Sequence, residues 1–189
     1  CLNARAASDK GIRLDEEWEA KANIYPIFDR HGTIIHRDHT PQVLTRRLIE
    51  QAIGWSRRAT PYRFIYNGPR AGATLPEHQH LQFFRDVDDR LSAVEELVAD
   101  PTARQQLYEL NGVTVSSVIG FPRADRSIVV YLLEGPLGTE RALAGQIEVM
   151  IKRLENHGQD YNVRWLFDPV KEIYEVFIWP RPYEAVGLE

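Results

Sequence analysis

Two histidines one residue apart, followed at the same spacing by a glutamine, stand in His78-Gln79-His80-Leu81-Gln82. They close a run of small and polar residues, Asn67-Gly68-Pro69-Arg70-Ala71-Gly72-Ala73-Thr74-Leu75-Pro76-Glu77. On an extended strand alternate side chains share a face, so His78, His80 and Gln82 are expected to project together about 7 Å apart, with Gln79, Leu81 and Phe83 turned away. Gly68 and Gly72 let backbone N–H groups approach an anion, and Thr74 adds a hydroxyl donor. A phosphate cradle beside a row of imidazoles suggests nucleophilic attack on phosphorus. Taken singly the parts say less: a His-x-His pair also reads as a pair of metal ligands or an ordinary surface strand, and glycines before a strand mark turns. The whole string in one place, with Asn67 at a strand end and Pro76 holding the chain extended, is what points to chemistry.

The chain that must position these groups has 189 residues, 43% hydrophobic and 26% charged, which suits one α+β domain burying a real core. Lys and Arg number 23 against 27 Asp and Glu, a formal charge of −4, so no basic footprint for nucleic acid is expected. No apolar run reaches the roughly 20 residues that span a bilayer, and no signal peptide is visible; a cytoplasmic protein with no membrane partner is the expectation. The single cysteine, Cys1, cannot form an internal disulfide. A chain opening on Cys1 is expected to have residues upstream, and Leu188-Glu189 reads as a cloning remnant.

The same order of elements is expected twice. Residues 24–28 and 33–37 read as strands, 40–58 as a helix capped at Thr40-Pro41, and 62–67 and 78–84 as strands. Residues 113–121 and 127–133 then read as strands, 139–156 as a helix capped by Thr139, and 162–167 and 174–179 as strands. A modest linker is expected over 99–112, and an acidic helix over 88–99 joins the halves. The prediction is a single domain over 1–189 made of two pseudo-repeats, about 23–84 with the histidines and about 112–180 without them, as an antiparallel sheet with helices packed on it.

The string Asn67-Gly68-Pro-x-x-Gly72-Ala73-Thr74-x-Pro76-x-His78-x-His80-x-Gln82 resembles the active-site signature of the histidine-triad-like nucleotidyltransferase and phosphorylase group. That group includes galactose-1-phosphate uridylyltransferase, diadenosine tetraphosphate phosphorylase and GDP-galactose phosphorylase, and the likeness is to its bacterial members with no assigned substrate. Asn23-Ile-Tyr-Pro26-Ile27-Phe28, with His31-x-Thr33-Ile34 and His39-Thr40-Pro41-Gln42, is similar to the group's segment entering the nucleotide pocket. The specific motifs cover roughly residues 1–84; beyond them the likeness rests on the repeated architecture and on Phe177-Ile-Trp-Pro180-Arg181.

The resemblance implies two fused histidine-triad-like repeats and a nucleotidyltransferase or phosphorylase acting on a nucleoside diphosphate sugar or dinucleoside polyphosphate. His80 would be the nucleophile, forming a covalent nucleotidyl-histidine, and Gln82 would donate an amide N–H to a non-bridging oxygen as charge develops. Asn67, Gly68, Gly72, Ala73 and Thr74 would hold the adjacent phosphates, and Asn23 would contribute to the pocket. His78 either assists catalysis or, as in part of the group, ligates a structural zinc with Cys1 and His39. Ala4 stands where a second cysteine would follow, so that site is either degenerate or completed upstream. The chemistry itself requires no cofactor. A phosphate-type acceptor completes the reaction, water being the acceptor in a hydrolase, and a homodimer is compatible with the group's habits. His31 and His39 read as hydrogen-bonded fold-supporting residues, and Trp18, Trp55, Trp165 and Trp179 as core or helix-sheet packing. The other reading is a non-catalytic nucleotide-binding or zinc-stabilised sensing domain that keeps the pocket without turnover.

Overall fold

Apolar residues alternate along most strands and recur every third or fourth position on two helices, so one sheet face and both helices can bury their apolar sides against each other. The computed structural model describes residues 11–28, 30–85, 98–100, 102–120 and 129–182. Its elements run β1 (Ile12–Arg13), β2 (Trp18–Ala22), β3 (Gly32–His36), α1 (Arg46–Arg58), β4 (Arg63–Asn67), β5 (His80–Phe84), β6 (Arg104–Leu110), β7 (Val113–Ile119), β8 (Val129–Pro136), α2 (Glu140–Asn156), β9 (Gln159–Asp168) and β10 (Ile173–Pro182).

All ten strands form one α+β sheet in the order β1-β2-β3-β5-β4-β9-β10-β8-β7-β6, with every neighbouring pair antiparallel. Read inward from either edge, the order is first, second, third, fifth, fourth strand of that half, and the halves meet at β4 and β9. One core unites them. Leu48, Ile49, Ala52 and Ile53 of α1 and Leu143, Ile147, Met150 and Ile151 of α2 pack over Phe64, Tyr66, Leu81, Val163, Trp165 and Val176 of the sheet. Arg46 links the helices, donating to the Arg141 carbonyl at 2.7 Å and pairing with Glu148 at 3.5 Å. No helix of the described residues is long and apolar enough to cross a membrane.

Several elements differ from the expectation, each for a physical reason. Residues 24–28 are not a strand: Pro26 has no N–H for a ladder, and the Asn23 side chain takes the Tyr25 N–H into a local turn at 2.9 Å. The strand beside β3 is β2, whose Trp-Glu-Ala-Lys-Ala sequence hides its one buried residue, Trp18, among charges. The first helix starts at Arg46 and not at Thr40, because Thr45 accepts the Leu48 N–H at 3.2 Å while Val43 and Leu44 remain in the approach. Residues 104–110 are a strand and no linker. They are the polar edge strand β6, joined to β7 by an Asn111-Gly112 turn in which both residues take positive φ, 53° and 76°. Thr139 precedes α2 without capping it; its hydroxyl donates to the Pro136 carbonyl. The acidic helix over 88–99 lies outside the described residues except for helical Val98 and Ala99, as do Cys1 and Ala4.

Thr45→Ala should lower unfolding stability by about 1 kcal/mol. Thr40→Ala should cost less, since among the described residues the Thr40 hydroxyl is buried without a hydrogen-bond partner. Parallel denaturant titrations measure both, and the opposite ranking would return the helix start to Thr40.

Candidate functional site

The central histidine is set by its backbone before its ring is considered. The β4–β5 ladder pairs Arg63 with Phe84, Phe64 with Phe83 and Ile65 with Gln82. Beyond it the Gln42 side chain, 1% exposed, stands between the strands. Its Nε2 donates to the carbonyls of Asn67 at 2.9 Å and His80 at 3.0 Å, and its Oε1 accepts the His80 N–H at 2.8 Å. Gln42 is fixed in turn, its N–H donating to Pro76 O and its carbonyl accepting from the buried Tyr66 hydroxyl. A side-chain amide thus does the work of a peptide and holds both backbone groups of His80 in a closed network.

The His80 ring is held by one nitrogen and left open at the other. Nδ1 lies 2.8 Å from the His78 carbonyl, which can only accept, so Nδ1 carries the proton and Nε2 the lone pair. Burial pushes the imidazole below its ordinary value of 6.5, opposed by the His78 carbonyl contact and the Glu77 charge and reinforced by His78. Although the residue is only 7% exposed, its side chain borders a cavity of about 380 Å³. His78, Gln82, Thr33, Ile35, Thr74, Leu75, Asn23 and His31 also line it, and Ile24, Tyr25 and Ile27 complete the wall. Leu81 lies on the opposite face in the core under the helices, as alternation along β5 requires.

The other candidate residues divide. Thr74 and Asn23 reach the cavity, whereas Asn67, Gly68, Gly72 and Ala73 do not border it. The loop amides expected to cradle phosphate are largely spent within the protein. Gly68 N–H donates to Tyr161 O at 3.0 Å, Ala71 and Ala73 N–H to Gly68 O, and Arg70 N–H to the Asp160 carboxylate. Gly68 is needed because a Cβ there would collide with Asp160 and the Tyr161 carbonyl. Gly72 is needed for its φ of 104°, with open space where a Cβ would go. His78 sits in the turn before β5, not on the strand, with its Nε2 donating to His36 O at 2.6 Å. The bridging role of Gln42, which stands in the His39-Thr40-Pro41-Gln42 string, the part played by Asp160 and the contact between His31 and Gln82 escape a reading of the motifs alone, because only the fold brings these side chains to their partners.

Of the zinc ligand set, His39 and His78 lie with ring centroids 4.5 Å apart and planes tilted by 33°. The bond from His78 Nε2 to a carbonyl leaves Nδ1 as the nitrogen with which that ring could ligate a metal. Cys1 lies outside the described residues, and among those residues no three His, Cys, Asp or Glu side chains group as a metal site.

A family model described as a domain of unknown function, DUF4922, matches residues 1–85. No curated protein matches the chain. A crystal structure of yeast Ap4A phosphorylase Apa2 is similar with a TM-score of 0.60 at 16% identity, over 88% of this chain and 57% of that one. The complex of Apa2 with Ap4A gives 0.57 at 16% identity over 87% and 57%, and the complex with AMP 0.56 at 14% over 89% and 57%. The chain therefore spans somewhat over half the length of Apa2, and the likeness is one of fold alone.

Gln42→Leu leaves the His80 and Asn67 backbone groups without their partner and should destabilise the protein by about 2–4 kcal/mol in urea titration. The His80 ring should titrate by NMR with a midpoint below 6.5. The unfolded chain binds that proton more tightly, so the His80 contribution to stability should rise with pH from the folded midpoint to about 6.5 and level off above it. A midpoint above 6.5 would contradict the assigned burial effect.

Proposed function

We propose that the protein is a nucleotidyltransferase or phosphorylase that cleaves a dinucleoside polyphosphate or a nucleoside diphosphate sugar through a nucleotidyl-His80 intermediate. The observation that carries the reading is the state of His80. Its proton is held on Nδ1 by a backbone carbonyl, and its side chain borders a cavity that Gln82 also lines. The fold likeness to a phosphorylase crystallised with Ap4A and with AMP favours the dinucleoside polyphosphate.

In the first step the Nε2 lone pair attacks the α-phosphorus, the N–P bond forms, and the P–O bond to the leaving phosphate chain breaks with its electron pair on that oxygen. In the second step an oxygen of a phosphate-type acceptor attacks the same phosphorus, and the N–P bond breaks with its pair returned to Nε2. Nδ1 keeps its proton in both, donating it to the His78 carbonyl. Gln82 donates to a non-bridging oxygen as its charge grows, and Thr74 to a neighbouring phosphate. Because the Gly68, Arg70, Ala71 and Ala73 amides are spent on the loop and on β9, that loop acts here mainly by holding Thr74 in place. Asn67 acts through its backbone bond to Gln42.

The matching strand order of the halves supports a reading as two histidine-triad-like units, of which the second has lost the His-x-His-x-Gln motif. A structural zinc held by His39, His78 and Cys1 belongs to the same proposal; it would secure the turn before β5 and take no part in the transfer.

Incubation with Ap4A alone should add one nucleoside monophosphate to the protein, seen by intact mass, as an adduct that is acid-labile and stable in mild alkali. His80→Ala should abolish adduct and turnover, and Gln82→Ala should slow turnover about 10²-fold. Adduct formation by His80→Ala would remove the nucleophile assignment. Nucleotide binding without adduct from any donor would leave a binding domain.

A further inference from the structure

The His31 imidazole, 6% exposed, is flanked by three polar groups, of which two, the Ile27 N–H and Gln82 Oε1, set its tautomer. The Ile27 N–H points at Nδ1 from 3.3 Å. A peptide N–H can only donate, so Nδ1 carries the lone pair, and a neutral ring then bears its proton on Nε2. Gln82 Oε1 lies 3.1 Å from that Nε2 and accepts. Asn23 approaches the same nitrogen at 3.3 Å, but through Nδ2, which is a donor; its own oxygen is occupied by the Tyr25 N–H. Phe28 meets the ring edge-on at 5.6 Å and limits its rotation.

We propose that His31 is a positioning residue which, by donating from Nε2 to Gln82 Oε1, turns the Gln82 Nε2 amide hydrogens toward the cavity. The inference rests on the reading of Gln82 as donor to the phosphoryl group. A reversed amide would present a carbonyl lone pair to an anionic oxygen, so orientation decides whether Gln82 attracts or repels the developing charge. Nothing in the Gln82 side chain itself chooses between the two; the choice is made by the His31 tautomer, and that tautomer is set by the Ile27 peptide. Segment 23–28, whose Tyr25 and Ile27 are 77% and 75% exposed at the cavity wall, is thereby tied to the residue that meets the phosphate.

Two measurements on the full chain test this. Nitrogen-15 spectra of imidazole-labelled protein should show His31 as the Nε2–H tautomer, and His31→Leu should shift the Gln82 side-chain amide signals. With Ap4A as donor, His31→Leu should lower kcat about tenfold, the scale of one lost hydrogen bond, with KM little changed. His31→Gln, which retains an amide donor, should restore part of the loss. In a Gln82→Ala background His31→Leu should cost nothing further, since its effect is routed through that amide. An Nδ1–H tautomer, an unmoved Gln82 amide, or losses that add in the double variant would overturn the proposal. A wild-type protein that forms no adduct counts against the proposed activity, while the tautomer still decides the contact.

Discussion

The pairing of β4 with β9 is the constraint on which the rest of the structure depends. Phe64, Ile65, Tyr66 and Asn67 face Trp165, Arg164, Val163 and Asn162 across an antiparallel seam, and the Gly68 N–H continues it onto Tyr161 O. Without β9, β4 would be an open edge, and the loop carrying Thr74 would lose its anchor. The half of the chain that has no His-x-His string therefore supplies part of the site's frame: Asp160 receives the Arg70 N–H and packs where a side chain at Gly68 would stand. The seam also explains why the main core is shared by the two halves. Both helices lie over it, and Trp165, Val163, Phe64 and Tyr66 join their apolar faces into a single cluster.

From that seam the order propagates through a side chain and not through further ladder. If the β4–β5 ladder were carried two residues on, Asn67 would pair with His80 by peptide groups alone. Gln42 takes that place with its amide, satisfying three backbone groups at distances between 2.8 and 3.0 Å. The arrangement leaves His80 rigid in its main chain yet bordering the cavity through its ring. Rigidity of that kind is what an in-line attack on phosphorus needs, because small misplacements of a nucleophile are costly in rate.

The parts legible in the sequence were those governed by period and by local turn chemistry. Alternation alone separates His80 and Gln82 from Leu81, and helical spacing finds the buried stripes of α1 and α2. The Asn111-Gly112 hairpin was equally readable, but Arg-Gln-Gln-Leu-Tyr-Glu-Leu before it is polar, as an edge strand exposed to water can be. What escaped was decided by tertiary contact. The sequence places the first cap at Thr40-Pro41, and only the weave of residues 40–43 with 76–80 moves it to Thr45. The loop before Thr74 looks like an anion nest until β9 and the loop itself claim the amides of Gly68, Arg70, Ala71 and Ala73. Gln42 and His31 differ from any buried polar residue only by what they touch.

The charge pattern of the cavity bears on how such a site would favour the transition state over the ground state. Among the described residues that line it, none is lysine or arginine. In the proposed reaction a bound phosphate would therefore meet no fixed Lys or Arg charge there, and burial lowers the pKa of His80 and so favours its uncharged ring. As Nε2 bonded to phosphorus, the ring would acquire positive charge beside the oxygens gaining negative charge. The attraction grows with the bond and is largest where the barrier lies, in surroundings where burial limits screening by water. A fixed cation in the same place would bind substrate and transition state alike and lower KM more than it raised kcat. In the proposed reaction, with a neutral nucleophile, one proton held on Nδ1 and one oriented amide, binding would stay modest and the electrostatic gain would fall mainly on the step that makes the bond.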